Sequence, residues 1–231
     1  MLVLYYSPPT GNSYKVRLLL SILKIPYEAI AVDIFHGGNN RTQEYLSINP
    51  LGKCPSLKLE DGSILTESNA ILAYLSNGTD LFPSEKLLSA RVIQWMCFEQ
   101  SSHLPYIGVA RFWAHLLKQE PHPEFKRLWQ VRGNLALTIM EEYLQRNRWF
   151  VGDRFTIADI ALYAYTHVAP DGGFDLARYP SINSWLARVE KIPGYMPLTY
   201  THPDTPQPLS PNYKPGGDAE LIEHVKAVSK K

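Results

Sequence analysis

Apolar residues recur with two different periods along the chain, and the change between them divides it into two parts. Short apolar runs alternate at first with segments in which apolar residues recur every three or four positions. Such runs favour buried strands, and the longer period favours amphipathic helices. The resulting order is β-α-β-α-β-β-α over residues 1–77. The predicted strands are at 2–6, 27–33, 56–60 and 63–66, and the predicted helices begin near residues 13, 41 and 68.

The second part has the pattern of an all-α domain over residues 87–231, after a polar linker. Long segments rich in Leu, Trp and Phe predict helices at 87–118 and 123–146, with shorter ones after Thr156 and at 181–191. Thr156 followed three residues later by Asp159 is a capping box, which marks a helix start. Five prolines at 201–217 predict an extended arm, and 219–231 has the pattern of a short terminal helix.

The stretch Asn49–Leu75 contains the strongest local signals. Asp61-Gly62 lies between two apolar runs, which predicts a tight hairpin. The polar residues at 66–68 then open a helix, and a helix N-terminus favours a carboxylate because of its unpaired N–H groups and its dipole. Cys54-Pro55 precedes the hairpin. A cis bond there would leave the backbone N–H and C=O of Cys54 free.

The motifs of this stretch are Asn-Pro-x-Gly-Lys-x-Pro, then Asp-Gly, then Thr-Glu-Ser-x-Ala-Ile-x-x-Tyr-Leu. In this order they resemble the glutathione-binding half of cytosolic glutathione S-transferases, of the serine/threonine-type or of the related bacterial Thr-x-Asn branch. The resemblance spans about residues 2–195. It implies an α/β thioredoxin-like N-terminal domain, βαβαββα, followed by the all-α domain. It also implies a homodimer.

The resemblance further implies which residues bind glutathione. Cys54, before Pro55, would pair through its backbone with the cysteinyl part, and Glu67 and Ser68 would hold the γ-glutamyl end. Lys53 would pair with the glycyl carboxylate, and Asn40 lies near the glycine end. Glutathione acts as a co-substrate, so no cofactor and no metal is expected.

Attack by glutathione on an electrophile requires a hydrogen-bond donor that stabilises the anion of its sulfur. A free thiol has a pKa of about 8.5 and is mostly protonated at neutral pH. A hydrogen bond to a charged group contributes roughly 1.5–3 kcal/mol, which lowers a pKa by about one to two units. By the resemblance, Thr10 stands six residues before the Val of Lys15-Val16-Arg17, where serine-type enzymes place a catalytic hydroxyl. Asn12 completes Thr-x-Asn, and both residues are candidates.

Weaker candidates are Ser7, Ser13 and Tyr6, the last of which we interpret as a core residue. For Thr10, a helix cap is the competing interpretation. The acceptor pocket is predicted between Thr10 and the first long helix, where several large side chains cluster. These are Tyr106, Arg111, Phe112 and Trp113.

Composition limits the remaining possibilities. Hydrophobic residues make up 45% and charged residues 19% of the 231 positions, as in ordinary globular proteins. A net charge of +1 argues against nucleic-acid binding, and no apolar run suits a membrane span or signal peptide. Only Cys54 and Cys97 are present, which argues against a disulfide framework and favours a cytoplasmic location.

We therefore predict a glutathione S-transferase that presents the glutathione thiolate to a hydrophobic electrophile. Two alternatives stay open. One is a glutathione-dependent peroxidase or disulfide-bond reductase, for which a peroxide or a disulfide replaces the electrophile. The other is a non-catalytic binding or regulatory module with the same fold.

Overall fold

Four strands form one mixed sheet in the order β2-β1-β3-β4. The computed structural model describes residues 1–34 and 38–199. The strands are β1 at Leu2–Tyr6, β2 at Tyr27–Ala31, β3 at Ser56–Lys58 and β4 at Ile64–Thr66. β1 is parallel to β2 and antiparallel to β3, and β3 and β4 form the predicted hairpin. The predicted arm at 201–217 and tail helix at 219–231 lie outside the described residues.

The predicted second strand is too long. β2 ends at Ala31 and not at residue 33, because its partner β1 ends at Tyr6, which lies opposite Ala31. A strand without a neighbour has no ladder of hydrogen bonds to extend it.

The described residues contain eight α-helices in the predicted order, two of them within the single helix predicted at 87–118. They are α1 at Gly11–Leu23, α2 at Gln43–Ile48, α3 at Ser68–Ser76, α4 at Lys86–Phe98, α5 at Leu104–Arg111, α6 at Pro123–Leu144, α7 at Ile157–Thr166 and α8 at Pro180–Val189. The first three belong to the part of the chain that contains the sheet and the other five form the helical part, so the thioredoxin-like plus all-α architecture is confirmed.

Two π-helical segments interrupt the first long helix of the helical part. Glu99–His103 lies between α4 and α5, and Phe112–Leu117 follows α5. Such segments re-aim side chains and occur frequently at functional sites. The first of them turns Glu99 and His103 into the protein interior, where both are fully buried.

The helix after Thr156 begins as predicted. Thr156 and Asp159 form a complete capping box at the start of α7. The Asp159 carboxylate also accepts hydrogen bonds from the Phe150 N–H and the Trp185 indole N–H. Burial raises the pKa of Asp159 to about 6. The helix ends at Thr166, and a short 3₁₀ turn containing Pro170 follows it.

Helix α1 lies between the sheet and the helical part and is buried on nearly all sides. Val16 and Leu20 pack on the sheet, whereas Leu18 and Leu19 join the larger core of the helical part. Lys15 and Arg17, between these apolar positions, are fully buried as well. The polar groups of α1 therefore find their partners in other elements, and this arrangement builds the candidate site. Across 1–34 and 38–199, no helix combines the length and hydropathy that a membrane crossing needs.

Candidate functional site

The start of α1 and the start of α3 meet at one hydrogen bond. The Ser68 hydroxyl donates to Asn12 Oδ1 at 3.3 Å, although the two residues are 56 positions apart. Ser68 is almost fully buried and Asn12 is half-buried. The structure thus brings together a predicted thiol donor and a predicted γ-glutamyl ligand.

The Cys54–Pro55 peptide bond is cis. The preceding backbone is held firmly, because Lys53 C=O accepts hydrogen bonds from the Tyr45 hydroxyl at 2.8 Å and from Asn49 Nδ2 at 2.7 Å. Within residues 1–34 and 38–199, no hydrogen bond is formed by the backbone N–H or C=O of Cys54. These two groups are therefore available to an extended ligand, as the sequence suggested.

The thiol of Cys54 lies in surroundings that disfavour a thiolate. It is buried and lies 3.2 Å from the Tyr45 hydroxyl, and burial raises its pKa to about 12. The thiol therefore stays protonated at neutral pH, and reactivity follows the thiolate. The other free cysteine, Cys97, is exposed on α4.

Helix α3 begins without a side-chain cap from any described residue. Of the polar residues at 66–68 that were predicted to open the helix, Glu67 occupies the cap position, and the Ser68 hydroxyl turns to Asn12. The first-turn N–H groups of α3 are therefore left for a ligand carboxylate.

Glu67 has an unusual backbone. Its φ is 67°, in the left-handed region that favours glycine, and its side chain is exposed. Its carboxylate forms no ion pair or hydrogen bond with the described part of the chain. Strained non-glycine residues persist where the surroundings over-determine them and cluster at functional sites. No sequence signal pointed to this conformation, because glutamate has no preference for it.

The Thr10 hydroxyl is occupied by local contacts. It accepts from the Ser13 N–H as the cap of α1, and it lies 2.9 Å from both Ser7 C=O and Ser13 Oγ. Its single proton therefore has two acceptors within the loop. The geometry is that of a helix cap, the competing interpretation, and a role for Thr10 toward the thiol stays a prediction.

Asn12 has the more available donor. Its backbone N–H donates to the Tyr165 hydroxyl at 3.3 Å, and its Oδ1 accepts from Ser68. Its Nδ2 has no partner among the described residues. Tyr165 belongs to α7, so the helical part helps to fix the thiol end of the site.

Lys15 and Glu99 form a buried ion pair directly behind Ser68, and the sequence did not reveal it. Lys15 Nζ lies 2.8 Å from Glu99 Oε2 and 3.4 Å from Ser68 Oγ, and both charged side chains are fully buried. Asn69 bridges the pair through its amide. Burial lowers the pKa of Lys15, and the Glu99 carboxylate opposes that shift. The partners are 84 positions apart, and no local pattern links them.

The remaining glutathione candidates differ in exposure. Asn40 is buried, and its Nδ2 donates to Gly52 C=O at 2.8 Å, which braces the loop before Cys54. The Lys53 side chain is exposed to solvent. Both assignments at the glycine end stay predictions.

The acceptor candidates do not form one surface. Arg111 is buried and donates to Pro9 C=O at 2.8 Å and to Asp171 at 3.0 Å, so it ties α5 to the loop before Thr10. Trp113 packs against Trp129 in a small crevice lined by none of the glutathione candidates. Tyr106 and Phe112 are half-buried on the same long helix.

Two family models match the chain, one for each part. The glutathione S-transferase N-terminal domain matches residues 11–77, and the C-terminal domain of the same family matches residues 131–193. Disulfide-bond oxidoreductase YfcG of Escherichia coli is 31% identical over 201 residues, which cover 84% of this chain and 92% of that relative. The chain belongs to the glutathione S-transferase family.

Solved structures and a further relative agree with this assignment. A glutathione S-transferase from Pseudomonas fluorescens is 48% identical with a TM-score of 0.83, covering 86% of this chain and 99% of that one. A possible glutathione S-transferase from Rhodopseudomonas palustris is 45% identical with a TM-score of 0.81, covering 87% and 99%. Maleylacetoacetate isomerase of Pseudomonas aeruginosa is 27% identical, covering 88% of this chain and 98% of that relative. Because these names differ, family membership leaves the reaction open.

Proposed function

We propose that this glutathione S-transferase family member binds glutathione in the groove between Cys54 and Ser68 and presents its thiolate to a hydrophobic electrophile. The observation that carries the proposal is the Ser68–Asn12 contact, because it joins the two ends of the predicted site. The free backbone groups of Cys54 pair with the cysteinyl part. The N–H groups of α3 hold the γ-glutamyl carboxylate, and Glu67 meets the ammonium group.

Asn12 supplies the hydrogen bond to sulfur in this proposal. Its Nδ2 has no other partner within residues 1–34 and 38–199, whereas the Thr10 proton is shared within its loop. The thiol loses its proton to solvent, the thiolate attacks an electrophilic carbon, and a C–S bond forms as the leaving group departs.

Lys53 and Asn40 lie toward the glycyl end, the former with its ammonium exposed. The exposed portions of Tyr106 and Phe112 face the hydrophobic acceptor, beside the loop that Arg111 anchors.

The experiment is a pH titration of bound glutathione that follows the ultraviolet absorbance of the thiolate. We expect the pKa of the bound thiol to lie about one to two units below its free value. Glu67→Gln should weaken glutathione binding, since it removes the partner of the ammonium group. Glu142→Gln is the matched control, because Glu142 is exposed on α6 away from the groove. Binding without a lowered pKa would rule out thiolate activation.

A disulfide-bond reductase is the second candidate, favoured by the relationship to YfcG. Here one glutathione thiolate attacks a substrate disulfide and expels a thiolate, and a second glutathione resolves the mixed disulfide. The products are two substrate thiols and oxidised glutathione. Turnover of a small mixed disulfide compared with an aryl halide separates the two functions. Since Cys54 is buried and protonated, the reductase activity should survive in a Cys54→Ala/Cys97→Ser variant.

We also propose that the protein is a homodimer that uses the outer face of α6. Five apolar residues spaced three or four apart are between 41% and 60% exposed on this helix, which would be costly if they remained in water. They are Phe125, Leu128, Val131, Leu135 and Ile139. Val131→Lys/Leu135→Glu should give a monomer by light scattering, whereas Glu28→Lys on edge strand β2 should not. An unchanged mass for the α6 variant would contradict this interface.

A further inference from the structure

The buried pair of Lys15 and Glu99 has no role in the fold that requires charge. Both side chains are completely inaccessible to solvent, and burying two charges is costly even when they are paired. A Leu or Met pair would fill the same volume without that cost. The pair lies where α1, α3 and the π-helical segment after α4 meet, directly behind the proposed glutathione groove.

The hydrogen bonds around Ser68 run from Lys15 through Ser68 to Asn12. A lysine ammonium has protons to donate and no acceptor, so Ser68 Oγ accepts from Lys15 at 3.4 Å. The hydroxyl proton of Ser68 is then directed to Asn12 Oδ1 at 3.3 Å. An amide has one oxygen and one nitrogen, so fixing its oxygen toward Ser68 sends Nδ2 to the opposite side.

We propose that Lys15 is a positioning residue that, through Ser68, orients the Asn12 amide with its NH₂ group toward the glutathione sulfur. This inference rests on the proposed function. Glu99 and Asn69 hold the Lys15 ammonium in place. The γ-glutamyl carboxylate is bound by the Ser68 backbone N–H, and the Ser68 hydroxyl stays with Asn12. The hydrogen bonds from Lys15 through Ser68 to Asn12 form a relay. This relay therefore acts on thiol ionisation more than on glutathione affinity.

The test removes the relay in two independent ways. Lys15→Met/Glu99→Leu deletes both charges together, so no unpaired charge stays buried. Ser68→Ala cuts the middle of the relay and leaves the ion pair intact. Ser76→Ala is the matched control, because Ser76 is also buried on α3 and its hydroxyl donates to Leu72 C=O within that helix. Each variant is checked for folding by circular dichroism before titration.

We expect the pKa of bound glutathione to rise by about one unit in both relay variants, a tenfold loss of thiolate at low pH. The dissociation constant for glutathione should change less than threefold, and Ser76→Ala should behave as the wild type. A wild-type pKa in a folded double variant would overturn the relay. So would a Ser68→Ala variant that loses glutathione affinity more than tenfold at an unchanged pKa, even if the double variant does not fold. An unshifted pKa in the wild type itself would instead defeat the proposed function.

Discussion

Replacing Asn12 by aspartate exchanges the side-chain NH₂ group for an oxygen, next to the place where the glutathione sulfur is proposed to lie. Aspartate has the same shape and keeps an oxygen that accepts the 3.3 Å hydrogen bond from Ser68. The second oxygen, however, replaces the NH₂ group that is proposed to face the glutathione sulfur. The substitution therefore separates the donor role of Asn12 from its contact with the rest of the site, which Asn12→Ala removes altogether.

The expected size of the effect follows from the two interactions involved. Losing one hydrogen bond to the thiolate, as in Asn12→Ala, costs roughly 1.5–3 kcal/mol and raises the pKa by about one to two units. In Asn12→Asp the carboxylate additionally repels the sulfur. Two like charges about 4 Å apart repel by about 4 kcal/mol at an effective dielectric constant of about 20, equivalent to about three further units.

The assay is the ultraviolet titration of bound glutathione, combined with kcat/KM for an aryl halide below neutral pH. We expect the order wild type, Asn12→Ala and Asn12→Asp for rising thiol pKa, and a loss of roughly tenfold to a hundredfold in kcat/KM for the alanine variant. Thr10→Val should leave the bound pKa unchanged and only destabilise α1 by about 1 kcal/mol through the lost cap. If Thr10→Val raises the pKa and both Asn12 variants do not, the assignment of the donor is wrong.

Three further predictions concern stability and are read by chemical denaturation. His103 is buried, and burial lowers its pKa to about 3. Below about pH 6.5 the unfolded chain therefore binds a proton that the folded chain excludes, so the free energy of unfolding rises with pH. His103→Gln should remove about 2 kcal/mol of the stability that the wild type loses between neutral pH and about pH 5. An identical pH dependence in both proteins would show that His103 accepts the proton while folded. Glu67→Gly should be about 1 kcal/mol more stable than Glu67→Ala, since glycine tolerates the positive φ, and equal stabilities would mean that the backbone is not strained. Arg111→Met should cost about 2 kcal/mol by breaking its contacts to Pro9 and Asp171, whereas a residue that only lined a pocket would leave stability unaltered.

Local signals in the sequence predicted the elements that depend on neighbouring residues. Asp61-Gly62 gave the turn of the β3–β4 hairpin, and Thr156 with Asp159 gave the start of α7. These features need only residues a few positions apart, so they are visible in one sequence. The length of β2 depends on its partner strand, and that prediction was accordingly less accurate.

The candidate site was only partly visible, for the same physical reason. Glu67 and Ser68 could be selected from their place in a motif, but the φ of Glu67 results from packing and has no signature in a glutamate side chain. Lysine side chains are normally solvated, so the residue type of Lys15 alone gives no sign of burial. Its burial depends on Glu99, which belongs to a helix 84 positions away.

The position of α1 explains why the thiol end of the site draws on both parts of the chain. A helix covered by a sheet on one side and by helices on the other has no solvent for its polar groups, so each needs a partner from the covering elements. Asn12 N–H uses the Tyr165 hydroxyl, Lys15 uses Glu99, and the Tyr14 hydroxyl uses Met196 C=O, all contributed by the helical part. The free backbone groups of Cys54, by contrast, are held within the sheet part alone. In the proposed function, binding of the glutathione backbone thus needs only the first part of the chain, whereas activation of its sulfur requires the two parts to be packed together.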